Sequence, residues 1–230
     1  MPVRRELNQD FFKTWSPEMA YVLGFFAADG SMLENIRGGY FIEFHIADVV
    51  VLRRIRAVTG STHKITRRLA SHPRLKTMYR LQIGSKEWFK DLSRLGFTQH
   101  KSHSLKFPEV SKAYLGDFIR GYFDGDGCVY FKKLQYADRK NKRPVLLTLF
   151  TSGSKAFLAM LWEHLKRYGV KGGSLKTKAH GYELVFSHHD SVALYRLMYH
   201  TTRSTNLRLP RKYKLFTKAL QTLYPNAVVA

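Results

Sequence analysis

The 230-residue chain predicts an α+β fold made of two pseudo-symmetric αββαββα halves, each an antiparallel sheet covered by helices on one face. Three observations lead there: short segments recur in one order at a nearly constant offset, helix signals recur with them, and the strands alternate apolar with basic or polar residues. The first recurrence sets AYVLGFFAADG, closed by Asp29-Gly30, against IRGYFDGDG, closed by Asp126-Gly127, 97 residues on from 29 to 126. Tyr79-Arg80-Leu81-Gln82 faces Tyr182-Glu183-Leu184-Val185 at an offset of 103, and Leu105-Lys106-Phe107-Pro108 faces Leu207-Arg208-Leu209-Pro210 at 102. An internal duplication accounts for all three and puts the halves at 1–108 and 109–230.

The elements follow in order. Ser16 is a helix N-cap with Pro17 in the first helical position, and that apolar helix runs to Ala28 and stops at Gly30. Strands at 31–36 and 40–47 precede a helix from Asp48 to Val58, closed by Gly60. Strands at 63–69 and 77–83 lead to a helix from Ser85 to Leu95, closed by Gly96. The second half repeats the plan with a helix at 113–125, strands at 128–134 and 145–151, a helix at 154–168, strands at 174–178 and 182–187, and a helix from Asp190. A last helix, 211–222, has no counterpart in the first half.

Strand alternation assigns the faces. In 77–83, Thr77, Tyr79, Leu81 and Ile83 suit a core while Met78, Arg80 and Gln82 point away; in 63–69, Ile65 and Leu69 point inward with Arg67 as a misfit, and Lys64, Thr66 and Arg68 outward. Ser174, Lys176 and Lys178 share one face. Sheets with helices on one side only leave such a face open.

Composition narrows the function. Lys and Arg number 39 against 17 Asp and Glu, a formal charge of +22 with a pI near 10.2, and such self-repulsion points to a polyanionic partner. Nucleic acid leads that class, ahead of a membrane surface or the ribosome. One cysteine, Cys128, excludes an internal disulfide and a cysteine-based zinc site. The best apolar run, Met19 to Ala28, is too short to cross a bilayer, and MPVRRELNQD lacks the apolar core of a signal peptide. A soluble intracellular protein without membrane contact is expected.

Ala20, Gly24 and Ala28 in one apolar helix, and Gly121 and Gly125 in the other, lie on single faces at four-residue spacing. Pairing these flat stripes about a pseudo-two-fold axis joins two small cores, and it also brings Asp29 and Asp126 together at helix ends that already carry negative dipole charge. Like charges about 4 Å apart at an effective dielectric near 20 repel by roughly 4 kcal/mol. A divalent cation turns that penalty into attraction, and magnesium favours carboxylates combined with phosphate oxygens and water.

VLGFFAADG (22–30) and IRGYFDGDG (119–127) resemble the name-giving motif of the LAGLIDADG homing endonucleases, and the order of elements is similar to theirs over nearly the whole chain. Two motifs in one polypeptide resemble the monomeric class. That resemblance implies saddle-shaped sheets, motif helices packed at the interface, and a site-specific endonuclease that cuts double-stranded DNA at a long asymmetric target to leave short 3′ overhangs. It implies Asp29 and Asp126 as catalytic metal ligands, the carbonyls of Ala28 and Gly125 as accessory ligands, and Mg2+ as cofactor, with Mn2+ as a substitute and Ca2+ binding without supporting cleavage. The motif's earlier acid is kept as Asp124 and replaced by Ala27 in the first copy, a position read as structural.

The family also places a basic residue near the pocket, and Lys101 fits, with Arg203 as its equivalent. Each could stabilise transition-state charge or simply touch a phosphate. The expected DNA-contacting residues are His45, Lys64, Thr66, Arg68, Arg80 and Gln82 in the first half, and Tyr130, Lys132, Lys176 and Lys178 in the second. Arg139, Lys140, Lys142 and Arg143 join them as a hairpin gripping phosphate. His188-His189-Asp190 and the pair His100 and His103 match no structural zinc spacing, and Phe25, Phe26, Tyr122 and Phe123 belong to the core. A monomer without an obligate protein partner is expected. The alternative is an RNA maturase or a DNA-binding regulator on the same scaffold, with host intron RNA as a partner; the retained acids count against it.

Overall fold

In the computed structural model, residues 5–69, 72, 76–135, 137, 140–200 and 206–224 are described. The first half contains helix α1 (Pro17–Asp29), strands β1 (Gly30–Glu34) and β2 (Tyr40–Ile46), helix α2 (Val49–Val58), strands β3 (Ile65–Arg68) and β4 (Met78–Gly84), and helix α3 (Lys86–Arg94). A short 3-10 turn then leads into α4 (Leu115–Asp126), β5 (Gly127–Leu134), β6 (Arg143–Ser152), α5 (Lys155–Lys166), β7 (Ser174–Lys178), β8 (Gly181–Ser187), α6 (His188–Tyr199) and α7 (Pro210–Leu223). The two sheets share one antiparallel topology, β1-β2-β4-β3 and β5-β6-β8-β7.

Helix α1 begins where sequence chemistry says it should: the Ser16 hydroxyl accepts the Met19 amide at 3.1 Å, and Pro17 occupies the first turn. It continues one residue beyond expectation, so Asp29 closes the helix; Asp126 does the same for α4. Every residue from Met19 to Ala27 and from Leu115 to Asp124 is buried, so both helices are enclosed on all sides.

They approach at backbone distance. A Cβ at Gly24 would lie 2.0 Å from the Phe118 carbonyl oxygen, and one at Gly121 would lie 2.0 Å from that of Tyr21. A helix-interior glycine costs about 1 kcal/mol relative to alanine; here an alanine would drive the two backbones apart.

Strand register sorts the side chains. On the first sheet Met32, Ile42, Phe44, Leu81 and Ile83 are buried under the helices, and on the second Val129, Leu146, Phe150, Leu184 and Phe186 are. The opposite faces are open. Leu69 departs from expectation: it stands beyond the end of β3 and is 68% exposed. Arg67 pairs with Tyr79 on the helix side yet remains exposed, because β3 is an edge strand whose outer margin the helices do not cover. Among the described residues no helix is long and apolar enough to cross a membrane.

Replacing Gly121 by Ala should destabilise the chain by about 1–3 kcal/mol, the usual cost of overpacking, lowering the thermal-unfolding midpoint by several degrees. An unchanged midpoint would show that the helices do not meet at this distance.

Candidate active site

The close helix pair sets the site. Because α1 and α4 end together, Asp29 and Asp126 come to the same place, each half-buried. A Cβ on Gly125 would lie 2.5 Å from the Ala28 Cβ and 3.2 Å from Asp29 Oδ2, so glycine clears the room in which the Asp29 carboxylate sits. Asp29 is raised to about 7 by burial first and by Asp126 second, against the pull of Lys212 and Lys101. Asp126 is raised as well, by burial, with Lys101 and Lys212 opposing.

Two buried lysines flank the pair. Lys101 Nζ donates to the Gly30 carbonyl at 2.6 Å and lies 5.2 Å from the centre of the Phe26 ring. Lys212, at the start of α7, donates to the carbonyls of Phe123, Asp124 and Gly125 at 2.6, 2.8 and 3.1 Å, and lies 5.3 Å from the Phe123 ring. Phe26 and Phe123 are equivalent by the 97-residue offset, but the two ammonium groups bond non-equivalent carbonyls: Lys101 bonds Gly30, the counterpart of Gly127, and Lys212 bonds the counterparts of Phe26, Ala27 and Ala28. Burial lowers both lysines to about 8, while the nearby carboxylates pull them upward. Sequence reading named Lys101 with Arg203 as its equivalent; Arg203 lies outside the described residues, and Lys212 is a further lysine beside the acids that this reading did not name. It was missed because the step from 101 to 212 does not follow the offsets of 97 to 103 that mark the repeat.

The Ala28 and Gly125 carbonyls lie in the last turns of α1 and α4, just before the acids, and that of Gly125 is already shared with Lys212. The unequal motif position is structural. Asp124 is wholly buried, and its Oδ2 accepts from the Tyr21 hydroxyl and the Leu209 amide, both at 2.7 Å, tying α1 and the start of α7 to α4. Ala27 offers the first half no such tie. Beside Asp126, a cleft of about 350 Å³ is bounded by Thr151, Ser152, Gly153 and the turn from Lys178 to Tyr182. Thr151 Oγ1 donates to the Asp126 carbonyl at 2.9 Å.

The sequence-predicted contact residues occupy the open faces. Register places His45, Thr66, Arg68, Arg80 and Gln82 on that of the first sheet, with Lys64 just ahead of β3. Tyr130, Lys132, Lys176 and Lys178 share that of the second. Lys140 and Lys142 are exposed in the β5–β6 hairpin and Arg143 opens β6, while Arg139 lies outside the described residues.

Sequence reading overlooked Glu43, which sits among the predicted contacts. It is 7% exposed and accepts from Gln82 Nε2 at 2.5 Å and Arg80 at 3.4 Å, with His45 Nε2 at 3.0 Å. Asp190 is structural, accepting the Lys171 and Gly172 amides. No cluster of three or more His, Cys, Asp or Glu suited to a metal occurs among the described residues.

No protein-family model matches the chain. Among curated proteins it is similar to the DNA-directed RNA polymerase subunit Rpo1C of Methanocaldococcus jannaschii, 26% identical over 162 residues that make up 70% of this chain and only 17% of that subunit. Among solved structures it is similar to the meganuclease I-SmaMI bound to uncleavable DNA, with a TM-score of 0.62, 12% identity and 92% of each chain covered. The LAGLIDADG meganuclease I-AabMI bound to uncleaved DNA gives a TM-score of 0.61 at 13% identity over 90% of each chain. I-SmaMI bound to its uncleaved target in the presence of calcium ions gives 0.59 at 12% over 94% of each. At such identities the likeness is one of fold, and the two-half architecture is theirs.

The raised Asp29 has a consequence for stability. Below about pH 3 the native and unfolded chains both hold its proton; between about 4 and 7 mainly the native chain does, so this group's contribution falls as pH rises through that window. Without metal, Asp29→Asn should therefore raise the unfolding midpoint at pH 8 and change it little near pH 3. An equal effect at both pH values would refute a strained carboxylate pair.

Proposed function

We propose that this chain, whose fold is that of the single-chain LAGLIDADG meganucleases, is a site-specific endonuclease that hydrolyses one phosphodiester bond in each strand of a long asymmetric DNA target, leaving short 3′ overhangs. The observation that carries this reading is the meeting of Asp29 and Asp126 at paired helix ends, flanked by buried Lys101 and Lys212 and set between two open sheet faces rich in cationic side chains. A protein that only binds nucleic acid gains nothing from two carboxylates forced together where phosphate would lie.

The donor set fits a divalent cation. Two carboxylates raised by burial, one of them also by its neighbour, are oxygen ligands held at a cost that a cation relieves. Asp29 and Asp126 would hold Mg2+, with the Ala28 and Gly125 carbonyls as accessory ligands, Mn2+ as a substitute and Ca2+ supporting binding alone. When bound, such an ion supplies Lewis-acid polarisation of the phosphate and a lowered pKa for an attacking water.

The chain's own groups do the rest. Lys101 makes one hydrogen bond among the described residues, to Gly30, which leaves ammonium protons to meet charge building on the phosphate oxygens. At about 8 it also exchanges a proton near neutral pH, as a general acid or base requires. Lys212 spends three donors on α4 carbonyls and acts by position, neutralising the negative end of that helix beside Asp126. The cationic side chains of the open faces grip the duplex, one half-site to each half, and the chain acts as a monomer divided at about residue 108.

A supercoiled plasmid carrying the chain's target, incubated with Mg2+, should become linear. Asp29→Asn or Asp126→Asn should each reduce linearisation at least about a hundredfold while leaving calcium-supported binding within a few-fold; unimpaired cutting by both would remove the mechanism. Lys101→Met should slow single-turnover cleavage by about 10² to 10³, the usual loss on removing one transition-state donor. A Lys101→Met rate equal to wild type would leave Lys101 a mere phosphate contact.

A further inference from the structure

The two open faces differ in chemistry at equivalent lattice positions. Gly30 pairs with Phe44 and Gly127 with Phe150, which makes Glu43 equivalent to Leu149 and His45 to Thr151. Glu43 faces Gln82 and Leu149 faces Val185; His45 faces Arg80 and Thr151 faces Glu183. Where the first half carries a hydrogen-bonded cluster around Glu43, the second carries leucine and valine. Leu147 and Val145 continue the same open face along β6, away from Asp126, where the first half has Phe41 and Gly39; all four aliphatic residues are half-buried, and the contrast between the halves is sharpest at Leu149 and Val185.

The margins of this aliphatic patch carry more cations than acids, the one acid, Glu183, being held by Lys178 at 2.8 Å. Lys132 pairs with Val145 on β5, and Lys176 stands on β7 at the far edge. In a chain of formal charge +22, a rim of this sign commits the surface to a polyanion rather than to a second copy of the chain or an apolar protein partner.

Aliphatic side chains cannot hydrogen-bond base edges, and covering those edges without partners is costly. The major groove offers one apolar feature, the C5-methyl of thymine. Successive open-face side chains stand about 7 Å apart along a strand, close to two base-pair steps of roughly 3.4 Å, so Leu149, Leu147 and Val145 are spaced to meet bases at increasing distance from the cut.

We infer that the second half recognises its half-site largely through thymine C5-methyl groups packed against Val145, Leu147, Leu149 and Val185, whereas the first half reads its own by hydrogen bonding. This rests on the nuclease reading above.

The test begins by selecting bound duplexes from a random library with the whole chain and calcium. The half-site whose selected bases shift on Leu149→Gln belongs to the second half. Replacing thymine there by deoxyuridine, which lacks only the methyl, should weaken binding about fourfold per base, while the same replacement in the other half-site should change it less than twofold. The Leu147→Ala, Leu149→Ala double variant, with folding checked by thermal unfolding, should lose most of the sensitivity to uracil, keeping only what Val145 and Val185 supply. Sequence-selective binding with equal or absent uracil sensitivity in both half-sites would overturn this inference alone. Uracil-insensitive binding accompanied by a concentration-dependent dimer would hand the patch to a second copy. No sequence-selective binding to duplex DNA would overturn the nuclease reading, and the inference with it.

Discussion

The backbone contact between α1 and α4 is the constraint on which the rest of the molecule depends. Gly24 and Gly121 sit where any side chain would strike the opposing carbonyl, so the helices come as near as main chains allow. Each half alone would expose an apolar helix; together they enclose both in one core. Because the helices stop at equivalent residues, the same contact delivers two carboxylates to one place. Fold stability and site assembly are therefore one property of the helix pair.

That proximity carries an electrostatic cost met in different ways by the two halves. Burial and mutual repulsion raise Asp29, and the two lysines that moderate the effect come from different elements: Lys101 from the turn after α3, Lys212 from α7. Lys212 is locked onto three carbonyls and Lys101 onto one. Asp124 anchors α7 in a way that Ala27 cannot mirror. The duplication is thus symmetric in backbone and unequal in chemistry, and the open sheet faces extend that inequality from Glu43 with its three partners to the aliphatic positions of β6 and β8.

Much of this was legible in the chain itself, for reasons that are local or repetitive. Ser16 and Pro17 announce the start of α1, Gly30 and Gly127 its end and its repeat, and period-two alternation assigns the faces of β4 and β7. Leu69 failed because alternation says nothing about where an edge strand outruns its covering helices. Glu43 was overlooked because one acid in a strand carries no sign of the Gln82, Arg80 and His45 that converge on it from register.

By itself the sequence determined the duplicated αββαββα plan, the glycine stripes and the two acids that end the motif helices, since these rest on short-range patterns and on their recurrence. Only the tertiary structure decided that Lys212 joins Lys101 beside the acids and what each open face presents. Lys212 reaches its place through a helix that the first half lacks, and the contrast between the faces emerges only when strands distant in sequence are aligned by pairing. Spatial neighbours of that kind are set by packing and register, which no periodicity along the chain encodes.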